Sequence, residues 1–130
     1  MAIRLFDQTI DRLARGLEFT SRRHDVLTKN VANLETPGYR ARDVSFDDYL
    51  NAIQPAAADA GMPPLPAIVP GEPEARVVYA SDGAAREDGN DVNLDRQMAR
   101  LAENTLFNHT LVNLLTSRFN QMKQAISGRV

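Results

Sequence analysis

From Phe6 the apolar positions of the chain step by four and three residues: Phe6, Ile10, Leu13, Leu17, Thr20, His24, Leu27, Val31 and Leu34. This spacing keeps one stripe on one helix face and predicts a seam of about four heptads. Thr20 and His24 are its polar members, so its middle is weaker than its ends or is matched by polar partners. A helix over roughly residues 3–34 would be about 48 Å long, and such a rod cannot fold on itself. A second row steps in the same way through Leu94, Met98, Leu101, Thr105, Asn108, Val112, Leu115, Phe119, Met122 and Ile126. Asn93 stands where an N-cap belongs, Asp95 suits the positive end of the helix dipole, and Gly128 is the natural stop. This helix would be about 52 Å long, so the two rods predict an antiparallel pair. Aligning Leu34 with Met98 brings His24 to Asn108, Leu27 to Thr105 and Thr20 to Val112, a polar layer that would set the register.

Between the rods the pattern breaks. Thr36-Pro37-Gly38 ends the first helix, because Pro37 biases Thr36 out of the α region and Gly38 tolerates a positive φ. Arg40 to Asp43 reads as a charged turn or extended piece. Phe46, Tyr49, Leu50 and Ile53 fit a short amphipathic helix that Asp43 or Ser45 would cap. From Gln54 to Pro73 the chain is rich in Pro and Ala, which remove donors and offer little to bury, so a connector is expected there. Arg76-Val77-Val78-Tyr79 is β-prone, and Asp88-Gly89-Asn90-Asp91 has turn chemistry. The fold class expected is therefore all-α: two long antiparallel coiled-coil-like terminal helices with an irregular central connector carrying a short helix and room for a small β element. Within one structural domain the divisions fall at 1–35, 36–92 and 93–128.

Leu5, Phe19, Val26, Leu106, Phe107, Leu111 and Leu114 lie off the two seams and widen the apolar faces. One partner helix cannot cover so much surface, so lateral packing against further helices, from copies of the chain or from relatives, is expected.

The charge balance adds little that is positive. A net charge of -2 with interspersed signs carries no footprint for nucleic acid. No cysteine is present, so disulfides and thiolate sites are excluded. No uninterrupted apolar stretch at the N-terminus reads as a cleavable signal. His24 and His109 have no ligand-spaced companions, and Asp47-Asp48 and Glu87-Asp88 read as solvated turn carboxylates. No phosphate loop or nucleophile motif appears. No cofactor, small-molecule ligand or enzymatic activity is expected.

The string Ala32-Asn33-Leu34-Glu35-Thr36-Pro37-Gly38-Tyr39 resembles the signature of the bacterial flagellar rod and hook proteins, the axial protein family. Asp88-Gly89-Asn90-Asp91-Val92-Asn93-Leu94-Asp95-Arg96-Gln97-Met98 and on to Asn104 resembles the C-terminal signature of a small basal-body rod member of that family. With Ser21 to Leu27, the resemblance covers about residues 10–50 and 88–127. FlgC, a second small proximal-rod protein, shares the hinge motif, but its usual Tyr-Gln-Ala-Asn-like string is replaced here by Thr105 to Thr110. The resemblance implies a structural subunit of the proximal rod, the torque-transmitting axle in the periplasm, exported without a cleavable signal. The implied partners are FlgC-like rod subunits, copies of itself, the MS ring with its rod adaptor FliE, and the flagellar type III export apparatus. Asn33, Thr36, Pro37, Gly38 and Tyr39 would shape the turn and contact a neighbouring subunit. Phe46 followed by Leu50 meets the family's export-gate pattern. A stand-alone helical-bundle adaptor would share the heptads and remains the alternative, as does FlgC.

Overall fold

The computed structural model describes residues 2–53 and 76–128, and the side chains within them except those of residues 2–7, 48 and 51–53. The expectations placed on the connector, on the side chains of Leu5 and Phe6 and on that of Ile53 lie outside the described residues. The elements in order are α1 (Ala2–Ala32), β1 (Arg42–Val44), α2 (Phe46–Ile53), β2 (Val77–Tyr79) and α3 (Leu94–Ser127). The architecture is predominantly α, with one small antiparallel β ribbon in which Arg42 faces Tyr79 and Val44 faces Val77.

Both ends of α3 follow from local chemistry. Asn93 has extended backbone and its side chain accepts from the Arg96 N–H, satisfying a donor the first turn leaves unpaired. Gly128 closes the helix in the left-handed conformation with φ 62°, which a residue without a Cβ adopts at no steric cost. The first helix ends at Ala32, before Leu34, and passes into a succession of turns.

α1 and α3 pack antiparallel, in a register different from the one expected. Thr20 meets Asn104 and Asn108, a helical turn short of Val112: Asn104 donates to the Thr20 carbonyl at 2.8 Å and Asn108 to its hydroxyl at 2.7 Å. Leu111 packs beside Gly16, where an added Cβ would sit 2.9 Å from a Leu111 methyl. The polar layer exists around Thr20, but its partners are the two asparagines. His24 and Thr105 are exposed and take no part in it.

The buried face of α3 is also turned from the predicted one. Gln97, Asn104 and Leu111, seven residues apart, are the buried positions, with Leu101, Asn108, Leu115 and Met122 half-buried beside them. The other predicted half of the seam points away from α1, for Met98 is 53% exposed, Val112 43%, Phe119 51% and Ile126 88%. The physical reason is that two helices in contact bury one narrow stripe. Satisfied amides set which stripe that is, because a buried amide left unpaired costs more than an exposed apolar side chain.

The apolar core sits where α2 and β1 close over α1. Phe19, Val44 and Tyr49 are buried, and Val26, Leu50 and Phe107 pack against them. Phe19 and Tyr49 stack with ring centres 4.8 Å apart, and Phe46 and Phe107 approach edge-on at 5.8 Å from Phe19 and 6.4 Å from Tyr49. Arg23 ties α1 to β1 through a two-pronged contact with Asp43, Nε to Oδ1 at 2.9 Å and Nη2 to Oδ2 at 3.0 Å. Burial alone would lower the Arg23 pKa, yet the hydrogen bond and charge of Asp43, with Glu103 adding to them, raise it above its ordinary value.

Candidate functional site

Two features are the candidates for a functional surface: the turn after α1 and the outward face of α3. The turn is built from the first sequence motif and held by the second. Tyr39 N–H donates to the Thr36 carbonyl at 3.3 Å, enclosing Pro37 and Gly38, and Gly38 has φ 71°. Proline followed by a left-handed glycine at the two central positions is a type II turn, which explains both residue types. Upstream, Asn33 donates from its side chain to Lys29 O at 2.8 Å, and the Thr36 hydroxyl donates to Asn33 Oδ1 at 3.1 Å.

Asn90 locks this turn. It is fully buried, and its side-chain nitrogen donates to the carbonyls of Asn33, Leu34 and Thr36 at 3.0, 3.1 and 2.8 Å. Those are carbonyls that a terminating helix and its following turn leave short of partners. Asn90 Oδ1 accepts from the buried Val92 N–H at 2.8 Å, so both ends of the amide are used. Asp88 holds Asn90 in place by accepting its backbone N–H, while the Asp88 carbonyl accepts from Gly38 N–H at 2.9 Å. Gly89 lies so close that an added Cβ would stand 3.5 Å from the Gly38 Cα. Asp91 continues the seal, its Oδ1 accepting the Ala41 N–H at 2.6 Å.

A second layer of buried polar groups couples the lock to both long helices. Asn30 donates to Arg42 O at 2.6 Å and to Gln97 Oε1 at 3.0 Å, and its own oxygen accepts from Arg42 N–H and the Tyr39 hydroxyl. Gln97 passes the chain on to Asp82, donating from Nε2 to Oδ2 at 2.5 Å. Asp82 also accepts the Asn93 N–H, and Arg100 lies 3.0 Å from its other oxygen without hydrogen-bond alignment, an ion pair at a carboxylate with no exposed surface. Asn30, Gln97 and Asp82 are not among the candidate site residues; Asn90 and Gln97 lie within the family-like string from Asp88 to Asn104, and Asn90 also in its turn, with no role assigned to either side chain. The seven-residue spacing of Gln97 and Asn104 was the available signal.

The candidate hinge residues come together here, with Thr36, Pro37 and Gly38 exposed at the tip and Asn33 and Tyr39 half-buried beneath it. Phe46 and Leu50 share α2, with Phe46 49% exposed and Leu50 packed on the core. The histidines are both exposed, and Asp88 serves the turn. Among the described residues no group of three or more His, Cys, Asp or Glu could hold a metal ion, and no helix is long and apolar enough to cross a membrane.

A protein named flagellar basal body rod protein FlgB in Cereibacter sphaeroides (strain ATCC 17029 / ATH 2.4.9) is 33% identical over 119 residues, covering 88% of this chain and 91% of the relative. The chain belongs to the FlgB family. Members from Bacillus subtilis (strain 168) and Escherichia coli (strain K12) carry the same name and are each 29% identical, over 126 and 120 residues. The match spans 95% of this chain and 97% of the B. subtilis member, and 85% and 87% for E. coli. No family model matches the chain. Of the two small rod proteins left open above, FlgB is the one the relatives support, so the two motifs that interlock through Asn90 are those of a FlgB-family member.

Proposed function

We propose that this chain is a structural subunit of the proximal flagellar rod, acting through its terminal helices and not through catalysis. The observation that carries the reading is the outward row on α3, where Met98, Val112 and Phe119 remain about half exposed after α1 has been satisfied. Apolar side chains left about half exposed along one side of a helix, interrupted only by Thr105 between Met98 and Val112, fit lateral packing against other axial helices in a chain with FlgB relatives. Identical subunits placed by a non-closing operator give a helical assembly, and axially aligned helices gripped on several sides resist torsion. The exposed tip at Thr36, Pro37 and Gly38 contacts the next subunit, with the Asn90 lock keeping that tip rigid.

The finer elements of the proposal are a periplasmic location and export without a cleavable signal. The neighbours would be copies of itself, FlgC-like subunits and the MS ring with its FliE adaptor. The seam residues Ile10, Leu13, Leu17, Leu27, Val31, Leu34, Leu94, Leu101, Leu115, Met122 and Ile126 pack either within the pair or against these neighbours. Phe46 and Leu50 serve recognition by the export apparatus before folding.

Complementation of a deletion strain tests the reading. Val112→Glu and Phe119→Glu should leave the circular dichroism and melting of the purified chain unchanged while abolishing flagellar assembly before the hook. Normal flagella from both variants, or from the deletion itself, would overturn it.

A further inference from the structure

Among the described residues the β ribbon has one side without a partner strand, which the rod reading does not use. Ala80 N–H donates to Ala41 O and Ser45 N–H to Arg76 O, and these bonds bracket the ribbon. With Arg42 opposite Tyr79 and Val44 opposite Val77, the antiparallel alternation makes these two pairs the non-hydrogen-bonded ones. The backbone N–H and C=O of Val77 and Tyr79 therefore point away from β1, toward the free edge. All three β2 side chains are exposed, Val77 at 53%, Val78 at 42% and Tyr79 at 64%.

The same face carries unbalanced charge. Arg40 and Arg42 place their guanidinium carbons 5.0 and 5.5 Å from the centre of the Tyr79 ring. Among the described residues neither pairs with a carboxylate, although the whole chain is net acidic. Two like charges gathered over one ring are held by its negative face and would be better satisfied by an anion laid across them.

We propose that the β2 edge is a docking strand for an extended, carboxylate-bearing segment of a different protein. Its main chain pairs with Val77 and Tyr79, and its acidic side chains meet Arg40 and Arg42. A second copy of this chain is a poor occupant. Pairing β2 with β2 would oppose arginines with arginines, and the outward backbone groups of Arg42 on β1, the other described strand, are already taken by Asn30. The proposal is independent of the rod reading, since it concerns neither α3 nor the turn.

The test replaces Tyr79 with the photo-reactive p-benzoylphenylalanine in the full chain, expressed in its own cells, and maps the adducts by mass spectrometry. The expected adduct joins position 79 to an acid-bearing segment of another protein. It should fall at least fivefold with Arg40→Glu plus Arg42→Glu, and likewise with Val77→Pro. Val77→Pro removes an outward N–H but no bond to β1, so proline is tolerable on this edge. Should Val77→Pro fail to fold by circular dichroism, the arginine variant decides alone. An adduct that joins two copies of this chain, one that survives the arginine reversal, or none at all overturns the proposal; the last is the outcome if the short length and the arginines merely blunt the edge. Loss of the adduct with flagella intact leaves the rod reading standing.

Discussion

Removing the Asn90 side chain is the sharpest perturbation of the turn. In Asn90→Ala the Asn33 and Thr36 carbonyls keep the turn bonds from Thr36 N–H and Tyr39 N–H, but the Leu34 carbonyl loses the only partner it has among the described residues. The buried Val92 N–H loses its acceptor as well. Each group left unpaired costs about 1–3 kcal/mol, and each of the two weakened carbonyls about 0.5–1.5 kcal/mol at most, so the variant should lose at least about 3 kcal/mol. Against typical domain stabilities of about 5–15 kcal/mol, that is a large share. Urea unfolding followed at 222 nm measures it, with hydrogen exchange over residues 27–34 reporting whether the end of α1 frays. Asn90→Asp is the informative companion. It keeps the acceptor for Val92 but turns a carboxylate toward three carbonyls, an arrangement that favours the protonated form. Its pKa in the folded state is thus raised above the unfolded value, and its deficit should shrink as pH falls and an O–H donor is restored. Asn33→Ala removes an amide whose hydrogen bonds to Lys29 and Thr36 are exposed, and should cost under about 1 kcal/mol. If Asn90→Ala lay within about 1 kcal/mol of the parent with exchange unchanged, the lock would not be what terminates α1.

Other consequences are equally direct. Gly16→Ala places a Cβ 2.9 Å from both a Leu111 methyl and the Tyr49 hydroxyl; it should destabilise by about 1–3 kcal/mol despite better helix propensity, and a thermal-melt double-mutant cycle with Leu111→Ala should recover part of the loss. Gly38→Ala forces a side chain into φ 71° and should cost about 1–2 kcal/mol, read in the same melts. Burial raises the Tyr49 pKa above the ordinary tyrosine value. The stability this group contributes is present below pH about 10 and falls as pH rises through the folded-state value, by up to about 1.4 kcal/mol per pH unit. Tyr49→Phe should flatten that alkaline decline in a pH series of urea unfolding curves.

The heptad steps were enough to place α1 and α3, and the Asn93 and Gly128 ends of α3 followed from capping chemistry alone. The Pro37-Gly38 turn and the short helix from Phe46 were equally local, because their signals lie within a few residues of where they act. The sequence also carried more apolar positions on the second helix than one neighbour could cover, but the roles are exchanged: Leu111, from outside the expected seam, is buried, and the seam residues Met98, Val112 and Phe119 are left about half exposed. Which stripe faces inward was not a local matter. Leu101 and Met98 satisfy the same periodicity, and only the three-dimensional meeting of Asn30 with Gln97 and of Thr20 with Asn104 and Asn108 selects the register. The lock between Asn90 and the end of α1 lies further from sequence reasoning, for its bonds span 54 to 57 residues. Periodicity determines where apolar surface lies along a helix. Pairing of buried polar groups, each needing a specific partner from a distant segment, is decided only when the chain has closed.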